Sequence, residues 1–262
     1  MNIVTLTTDW GDRDYYSGII KGAILSKNTN INIVDISHSV NLFNISHAAY
    51  LIKNCYNFFP ENTIHLICVD TILPNKSREK YSGICIAKKN NQYFIAADNG
   101  VFSLIFEDGI DEIYELPYVK NSDNFTFTEK DIFVNAALNI INGQKLSDIG
   151  IIKNDYVKRL LFRPLTSSNN ITGHVVHLDC YKNIITNISV DLFNEVGKGR
   201  KFNLYFRDNE ANIFNNSYSD VSLGESVILL NSSNFIEIAI NKGYAAELLG
   251  LKVDDVVKIE FF

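Results

Sequence analysis

Short β-branched runs alternate with stretches of helical apolar spacing through the first part of the chain. A strand is predicted over 3–7, and the apolar positions Ile19, Ile20, Ala23, Ile24 and Leu25 after Gly18 predict a helix. A strand over 31–36, a helix over 45–56 and strands over 63–69, 83–87 and 93–97 follow. The segment 101–106 is apolar, and 131–141 carries Phe133, Val134, Ala137, Leu138 and Ile141 at helical spacing. Such alternation predicts an α/β domain with a mainly parallel central sheet and helices on its faces. Beyond about residue 150 the pattern changes: 173–178, 201–206, 226–230, 235–240 and 253–262 are short β-rich runs set between Asn, Gly and Ser clusters. These predict a second, all-β domain, antiparallel and barrel-like. The expected boundaries are an α/β domain over 1–164, a polar linker over 165–170 (LTSSNN) and the β domain over 171–262.

A chain of 262 residues, 46% hydrophobic, can build a full core. Its formal charge of −6 and scattered lysines exclude a nucleic-acid surface, which needs clustered Lys and Arg. No apolar run approaches the roughly 20 residues that span a bilayer, and no opening segment resembles a signal peptide, so a cytoplasmic location and no membrane contact are expected. Cys55, Cys68, Cys85 and Cys180 form no C-x-x-C pair and read as buried free thiols. The histidines show no metal-binding spacing, and His174 and His177 point to opposite faces of a strand. No metal and no cofactor are expected.

The candidate chemistry starts in TTDWGDRDYYSGIIKG, residues 7–22, where Asp9 and Asp14 sit in a turn directly after a strand. Ligands of open α/β sheets gather at that edge. The turn lacks G-x-G-x-x-G and G-K-[ST], and its acids suit a polyol or a cation better than a phosphate. Helix capping by these aspartates is the competing reading. Asp35, Asp70 and Asp98 also follow apolar runs, so parallel neighbouring strands would gather these acids at one rim. In the β-rich half, Asp179, Tyr181, Asn183 and Asn187 combine an acid, an aromatic face and amides. That set could stack on a flat base and pair with its edge, or simply form an Asn-rich hairpin.

With VDISHSV, FPENTIH, ADNGVFSL, DCYKNIITNI and NSSNFIEIAINKGYAAELLGL following TTDWGDRDYYSGIIKG in this order, the chain resembles the S-adenosylmethionine hydroxide adenosyltransferase family, relatives of the fluorinases and chlorinases. The resemblance spans nearly the whole chain. It implies a homotrimer in which the α/β domain of one subunit and the β domain of its neighbour hold S-adenosylmethionine (SAM) at the subunit interface. Water or hydroxide then attacks ribose C5′, giving adenosine and methionine. By the same resemblance Asp9 takes the ribose hydroxyls, and Asp14 and Asp179 the methionine ammonium. Phe43 and Tyr181 flank the adenosine, and Asn183 reads the adenine edge. Ser232 meets the methionine carboxylate, and the backbone near Asn241 and Lys242 makes the last adenine contact.

The water-activating group departs from the family pattern. Its common form has an Asp in V-D-P-G-V-G-T, an Arg seven residues on, and a His in T-F-H-G-R-D. Here Asp70 lies in VDTILPNKSREK, Arg78 comes one position late, and TFTEKD puts Thr128 where the His would be. Asp70, Arg78 and Thr128 are therefore the catalytic candidates, with Thr128 or Glu129 left to polarise water. An S-adenosylmethionine hydrolase is the expected activity. A non-catalytic SAM or adenosine binder that has lost the His is the alternative. Halogenation is disfavoured, because halogenases carry a tyrosine at the position of Asp70, whose charge would repel a halide.

Overall fold

The computed structural model describes residues 2–72, 81–117, 126–160 and 162–262. In chain order the first part gives β1 (Asn2–Thr8), α1 (Tyr16–Leu25), β2 (Ile31–Ser37), α2 (Ile45–Lys53), β3 (Ile64–Cys68), β4 (Tyr81–Lys89) and β5 (Gln92–Ala97). Then come α3 (Val101–Ile105), β6 (Glu112–Pro117), α4 (Val134–Ile141), α5 (Leu146–Ile149) and β7 (Ile151–Ile152). A π-helical turn, Glu129–Phe133, leads into α4. The strands form one sheet in the order β2-β1-β3-β5-β4-β6-β7.

The α/β class is as expected, but the sheet is mixed rather than mainly parallel. β2, β1, β3 and β5 run parallel, while β4, β6 and β7 are antiparallel to their neighbours. The cause is local: Lys89 pairs with Gln92 across Asn90 and Asn91, both at positive φ (50° and 57°). Two left-handed residues make the hairpin turn that reverses the chain, so no crossover helix separates these strands.

Period-two alternation sorts the side chains of β3 to opposite faces. Ile64, Leu66 and Cys68 join Ile20 and Ile24 of α1 and Phe133, whereas Ile67 joins Ala48, Ala49 and Ile52 of α2 and Phe102 of α3. Both faces are covered, so these strands read as unbroken apolar runs. The buried His65 stays within this layer. Gln92 donates its amide to Phe59 O at 3.0 Å, which turns Oε1 toward His65 Nε2 at 2.7 Å, and Thr5 Oγ1 lies 2.8 Å from Nδ1. The neutral Nε2–H tautomer satisfies both contacts.

The second part gives β8 (Leu165–Thr166), β9 (Asn170–Leu178), β10 (Ile184–Ser189), α6 (Val190–Gly197), β11 (Phe202–Phe206) and β12 (Asn209–Ala211). β13 (Ser226–Leu230), β14 (Phe235–Ile240), α7 (Ala245–Leu248) and β15 (Val256–Phe261) complete it. All its strand pairs are antiparallel, in the order β12-β11-β15-β9-β10-β14-β13, with β8 on β9. Asn215, just past β12 at one edge, bridges to Leu229 on β13 at the other, which makes the sheet barrel-like. Ile171, Val175, Ile184, Ile238, Val257 and Ile259 share its core.

The two compact units are Met1–Leu161 and Phe162–Phe262. The segment 165–170, expected as a linker, is instead a hairpin of the second unit: Leu165 pairs with Thr172, Thr166 with Ile171, and Ser167 N–H donates to Asn170 O at 2.9 Å. Ser and Asn favour a tight turn as readily as an open linker. Among the described residues no helix is long and apolar enough to cross a membrane.

Candidate active site

Because β2, β1, β3 and β5 are parallel neighbours, the carboxyl ends of the last three bring Asp9, Asp70 and Asp98 to one rim of the first unit, while Asp35, the fourth of the acids expected there, lies inside β2 opposite Leu6. Two of the four are struts. Asp35 accepts from Lys21 Nζ at 2.5 Å and has His38 Nε2 3.2 Å away. Asp98, buried, accepts from Lys153 Nζ and from Val157 N–H, each at 2.8 Å. Asp9 and Asp70 have no ion-pair partner among the described residues.

Asp9 reaches across to the loop after β2. Its Oδ2 accepts the Phe43 N–H at 2.8 Å, and Phe43 has φ 60° with its ring 69% exposed. A left-handed backbone is uncommon for an aromatic residue, so this bond holds a strained conformation that presents the ring to solvent. The two loops are stitched further by Gly11 N–H to His38 O at 2.7 Å, Val40 N–H to Thr8 O at 3.2 Å, and Thr8 Oγ1 to His38 Nδ1 at 2.9 Å. Burial pushes the Asp9 carboxyl above its ordinary range; the Phe43 N–H pulls it back, and the charge of Asp70 adds to the rise.

Asp70 is exposed at the end of the β3 run with φ 48°. Asn99 clamps this turn, its Nδ2 donating to Asp70 O at 2.9 Å and Val69 O at 3.3 Å while its Oδ1 accepts from Val101 N–H at 3.2 Å. Directly after it, Thr71 Oγ1 donates to Glu129 Oε1 at 2.6 Å. Glu129, 6% exposed, opens the π-helical turn, a helix irregularity that recurs at functional sites. Burial raises its carboxyl, Thr71 lowers it, and the Asp9 charge raises it again. Trp10 and Tyr16 each meet Phe127 edge-on with ring centroids 5.3 Å apart, fastening this segment to the turn after β1. Thr128 sits beside Phe127 at the head of the π-turn and makes no capping hydrogen bond. Arg78 lies outside the described residues. Asp14 is exposed in the β1–α1 turn.

The second unit presents a hairpin between β9 and β10. Asp179 Oδ1 accepts from Tyr181 N–H at 2.9 Å and Asn183 N–H at 2.8 Å, and Oδ2 accepts from Asn183 Nδ2 at 3.1 Å. Asp179 thus organises the Asn-rich turn and keeps a lone pair for a further donor. Tyr181 is 71% exposed, and Lys182 takes φ 63°. Ala246 N–H donates to Lys182 O at 2.9 Å, which binds the hairpin to α7 and to the exposed Lys242 turn before it.

Ser232 is exposed in the β13–β14 turn, at the opposite end of β14 from Lys242 and separated from it by about 17 Å of strand. Between these ends lies a buried acid that sequence reasoning missed. Glu237 accepts from Tyr218 OH at 2.8 Å and Asn231 Nδ2 at 3.3 Å. Burial raises its carboxyl, those two donors lower it, and Asp179 raises it. Its only trace in the sequence is an acid inside the apolar run FIEIAI. Of the four thiols, Cys68 and Cys85 are buried, Cys55 is half-buried and Cys180 is exposed on the hairpin. Among the described residues no group of His, Cys, Asp and Glu is placed to hold a metal ion.

Residues 4–150 match the SAM hydroxide adenosyltransferase N-terminal domain family, and residues 173–258 match the SAM hydroxide adenosyltransferase C-terminal domain family. A protein of Methanocaldococcus jannaschii named (R)-S-adenosyl-L-methionine hydrolase is 30% identical over 99% of this chain and 96% of its own length. A protein of an Actinoplanes species named fluorinase is 23% identical, covering 98% of this chain and 97% of its own. The crystal structure of an uncharacterized conserved protein from Thermotoga maritima superimposes with a TM-score of 0.85 at 30% identity, covering 99% of both chains.

Proposed function

The chain belongs to the SAM hydroxide adenosyltransferase family, and we propose that it hydrolyses S-adenosyl-L-methionine to adenosine and L-methionine by attack of water at ribose C5′. The observation that carries this reading is the Asp9–Phe43 bond, which ties the family's ribose position to its adenosine position beside the retained acid Asp70. A carboxylate suits a vicinal diol, and the exposed Phe43 and Tyr181 rings offer faces to adenine. Asp179 and Asp14 offer charge to the methionine ammonium, Asn183 an edge to adenine, and Ser232 and Lys242 contacts at the two ends of an elongated ligand. The name of the Methanocaldococcus relative extends the proposal to the (R) sulfonium epimer.

The chemistry asks little of the protein beyond positioning. As the C5′–O bond forms, the C5′–S bond breaks, its electron pair returns to sulfur, and neutral methionine leaves. The sulfonium is already a good leaving group, so rate comes from aligning water in line with C5′ and excluding bulk solvent. Asp70 favours water over halide at that position by charge repulsion.

We further propose that the site is completed in a homotrimer, with the second unit supplied by a neighbouring copy, and that the enzyme works in the cytoplasm, where its unpaired thiols persist. Mixing inactive Asp9→Ala and Asn183→Ala proteins should then restore activity through sites built from two intact halves. The activity itself is tested by incubating the protein with SAM, with and without chloride or fluoride. Adenosine and methionine in equal amounts, independent of halide, support hydrolysis. A halogenated nucleoside, or unchanged SAM retained by the protein, opposes it. The second of those results is what the titration-free Thr128 would give if the enzyme had become a binder.

A further inference from the structure

In this chain the place of a water-activating histidine is held by Thr128, a hydroxyl that cannot take a proton near neutrality. The neighbouring position supplies what is missing. Glu129 is 6% exposed, yet its Oε1 is only 2.6 Å from Thr71 Oγ1, and Thr71 is half-buried beside the exposed Asp70. The carboxylate is withdrawn from solvent, while the half-buried Thr71 that donates to it follows directly on the exposed rim residue Asp70. Asn99 fixes the backbone on the N-terminal side of Thr71 through Val69 O and Asp70 O. The Trp10–Phe127–Tyr16 contacts fix the segment that carries Glu129. Both partners of the hydrogen bond therefore sit on braced elements.

Resting on the hydrolase reading, we propose that Thr71 and Glu129 form a proton relay that activates the attacking water. The water donates one hydrogen bond to Thr71 Oγ1. As its oxygen bonds to C5′ and the C5′–S pair leaves on methionine, one water proton passes to Thr71 Oγ1 and the Thr71 proton passes to Glu129 Oε1. After the products leave, the proton returns through Thr71 Oγ1 to the water that refills the site, and the balance closes without a further reactant. Thr71 is the residue that touches water; Glu129 acts through it. A carboxylate in this setting is a better base than one in water, since burial disfavours its charge. The groups whose electrostatics reach it are Asp9 from the end of β1 and Cys68 from the end of β3; Asp70 acts on Asp9, and Lys130 on its own turn is paired with Asp131.

The test uses the full-length protein with SAM as substrate, following adenosine formation across pH in the unsubstituted chain and in Glu129→Gln, Thr71→Val and Thr71→Ser. The relay predicts that Glu129→Gln and Thr71→Val each lower kcat by about 100-fold with KM within about 3-fold, that the double variant is no slower than either, and that Thr71→Ser restores most of the rate. It also predicts that the acid limb of the kcat profile vanishes in Glu129→Gln, leaving a rate that climbs with hydroxide concentration. Thermal melts identify any variant that has lost its fold, and Thr71→Ser keeps the test decisive in that case. Glu129→Gln within about 3-fold of the parent kcat, or losses that multiply in the double variant, overturn the relay while leaving hydrolysis in place. No adenosine from the unsubstituted chain overturns the hydrolase reading and the relay together.

Discussion

On the proposed function Asp9 carries two jobs, holding Phe43 and taking the ribose, and two substitutions separate them. Its Oδ2 accepts the Phe43 N–H at 2.8 Å, which leaves Oδ1 and one lone pair of Oδ2 for the ribose diol. Each hydrogen bond to a charged acceptor is worth about 1.5–3 kcal/mol. Asp9→Asn keeps an acceptor for Phe43 but presents an NH₂ group to the diol, so one ribose bond is lost and adenosine should bind roughly 10- to 150-fold more weakly. Asp9→Ala loses both ribose bonds and also frees Phe43, which without its tie has no reason to hold φ 60°, so the loss should exceed about 200-fold. Stability should change by no more than about 1 kcal/mol, because removing a half-buried carboxylate also relieves its desolvation. Calorimetric titration with adenosine and 2′-deoxyadenosine checks the assignment. Removing the 2′-hydroxyl should weaken binding about 10-fold in the parent and hardly at all in Asp9→Ala, the coupling expected of groups in contact. Equal losses in both proteins would place Asp9 away from the ribose and refute the argument.

Tyr181→Ala should weaken adenosine binding about 10-fold with no change in melting temperature, because the ring is 71% exposed and its loss leaves no cavity; a lowered melting temperature with unchanged affinity would make it structural. Asp98→Ala should destabilise the first unit by about 1–3 kcal/mol in urea titration, since it leaves the Val157 N–H unpaired and Lys153 with only its longer contact to Glu115 at 3.7 Å, and a loss below about 0.5 kcal/mol would deny it the role of strut. His65 has its pKa lowered by burial to about 4 in the fold, partly offset by Gln92, against an ordinary value near 6.5. The unfolded chain therefore binds the extra proton between those values, so stability is intact above about pH 6.5 and falls by roughly 2 kcal/mol from pH 7 to 5. A His65 ring resonance titrating near its ordinary value would contradict this.

The strands were legible because each is a short run dominated by apolar residues: 31–36, 93–97 and 235–240 lie within β2, β5 and β14. The gathering of Asp9, Asp70 and Asp98 at the rim was legible too, since it needed only parallel neighbours. What the sequence could not separate was function from support. Asp35 and Asp98 look like Asp9 and Asp70 until Lys21 and Lys153, distant in sequence, are seen to neutralise them. Helix α6 escaped notice because its apolar residues, Leu192, Phe193 and Val196, fall in only eight residues that begin with β-branched Val190, and its start is fixed by Ser189 accepting the Leu192 N–H at 3.1 Å. The helix expected over 131–141 begins earlier, with Glu129 in a π-turn, a register that apolar spacing does not encode. Asn99 and Thr71 lie inside ADNGVFSL and VDTILPNKSREK, but their roles arise only when the ends of β3 and β5 meet and the π-turn brings Glu129 to Thr71.

The central claim, attack of water at ribose C5′ of SAM, is tested most directly by turnover in water enriched in oxygen-18. Mass spectrometry of the nucleoside should find adenosine carrying one heavy oxygen at the 5′ position, formed over many turnovers with one methionine each. Adenosine with unlabelled 5′ oxygen, or no adenosine beyond the amount of protein present, would contradict the account.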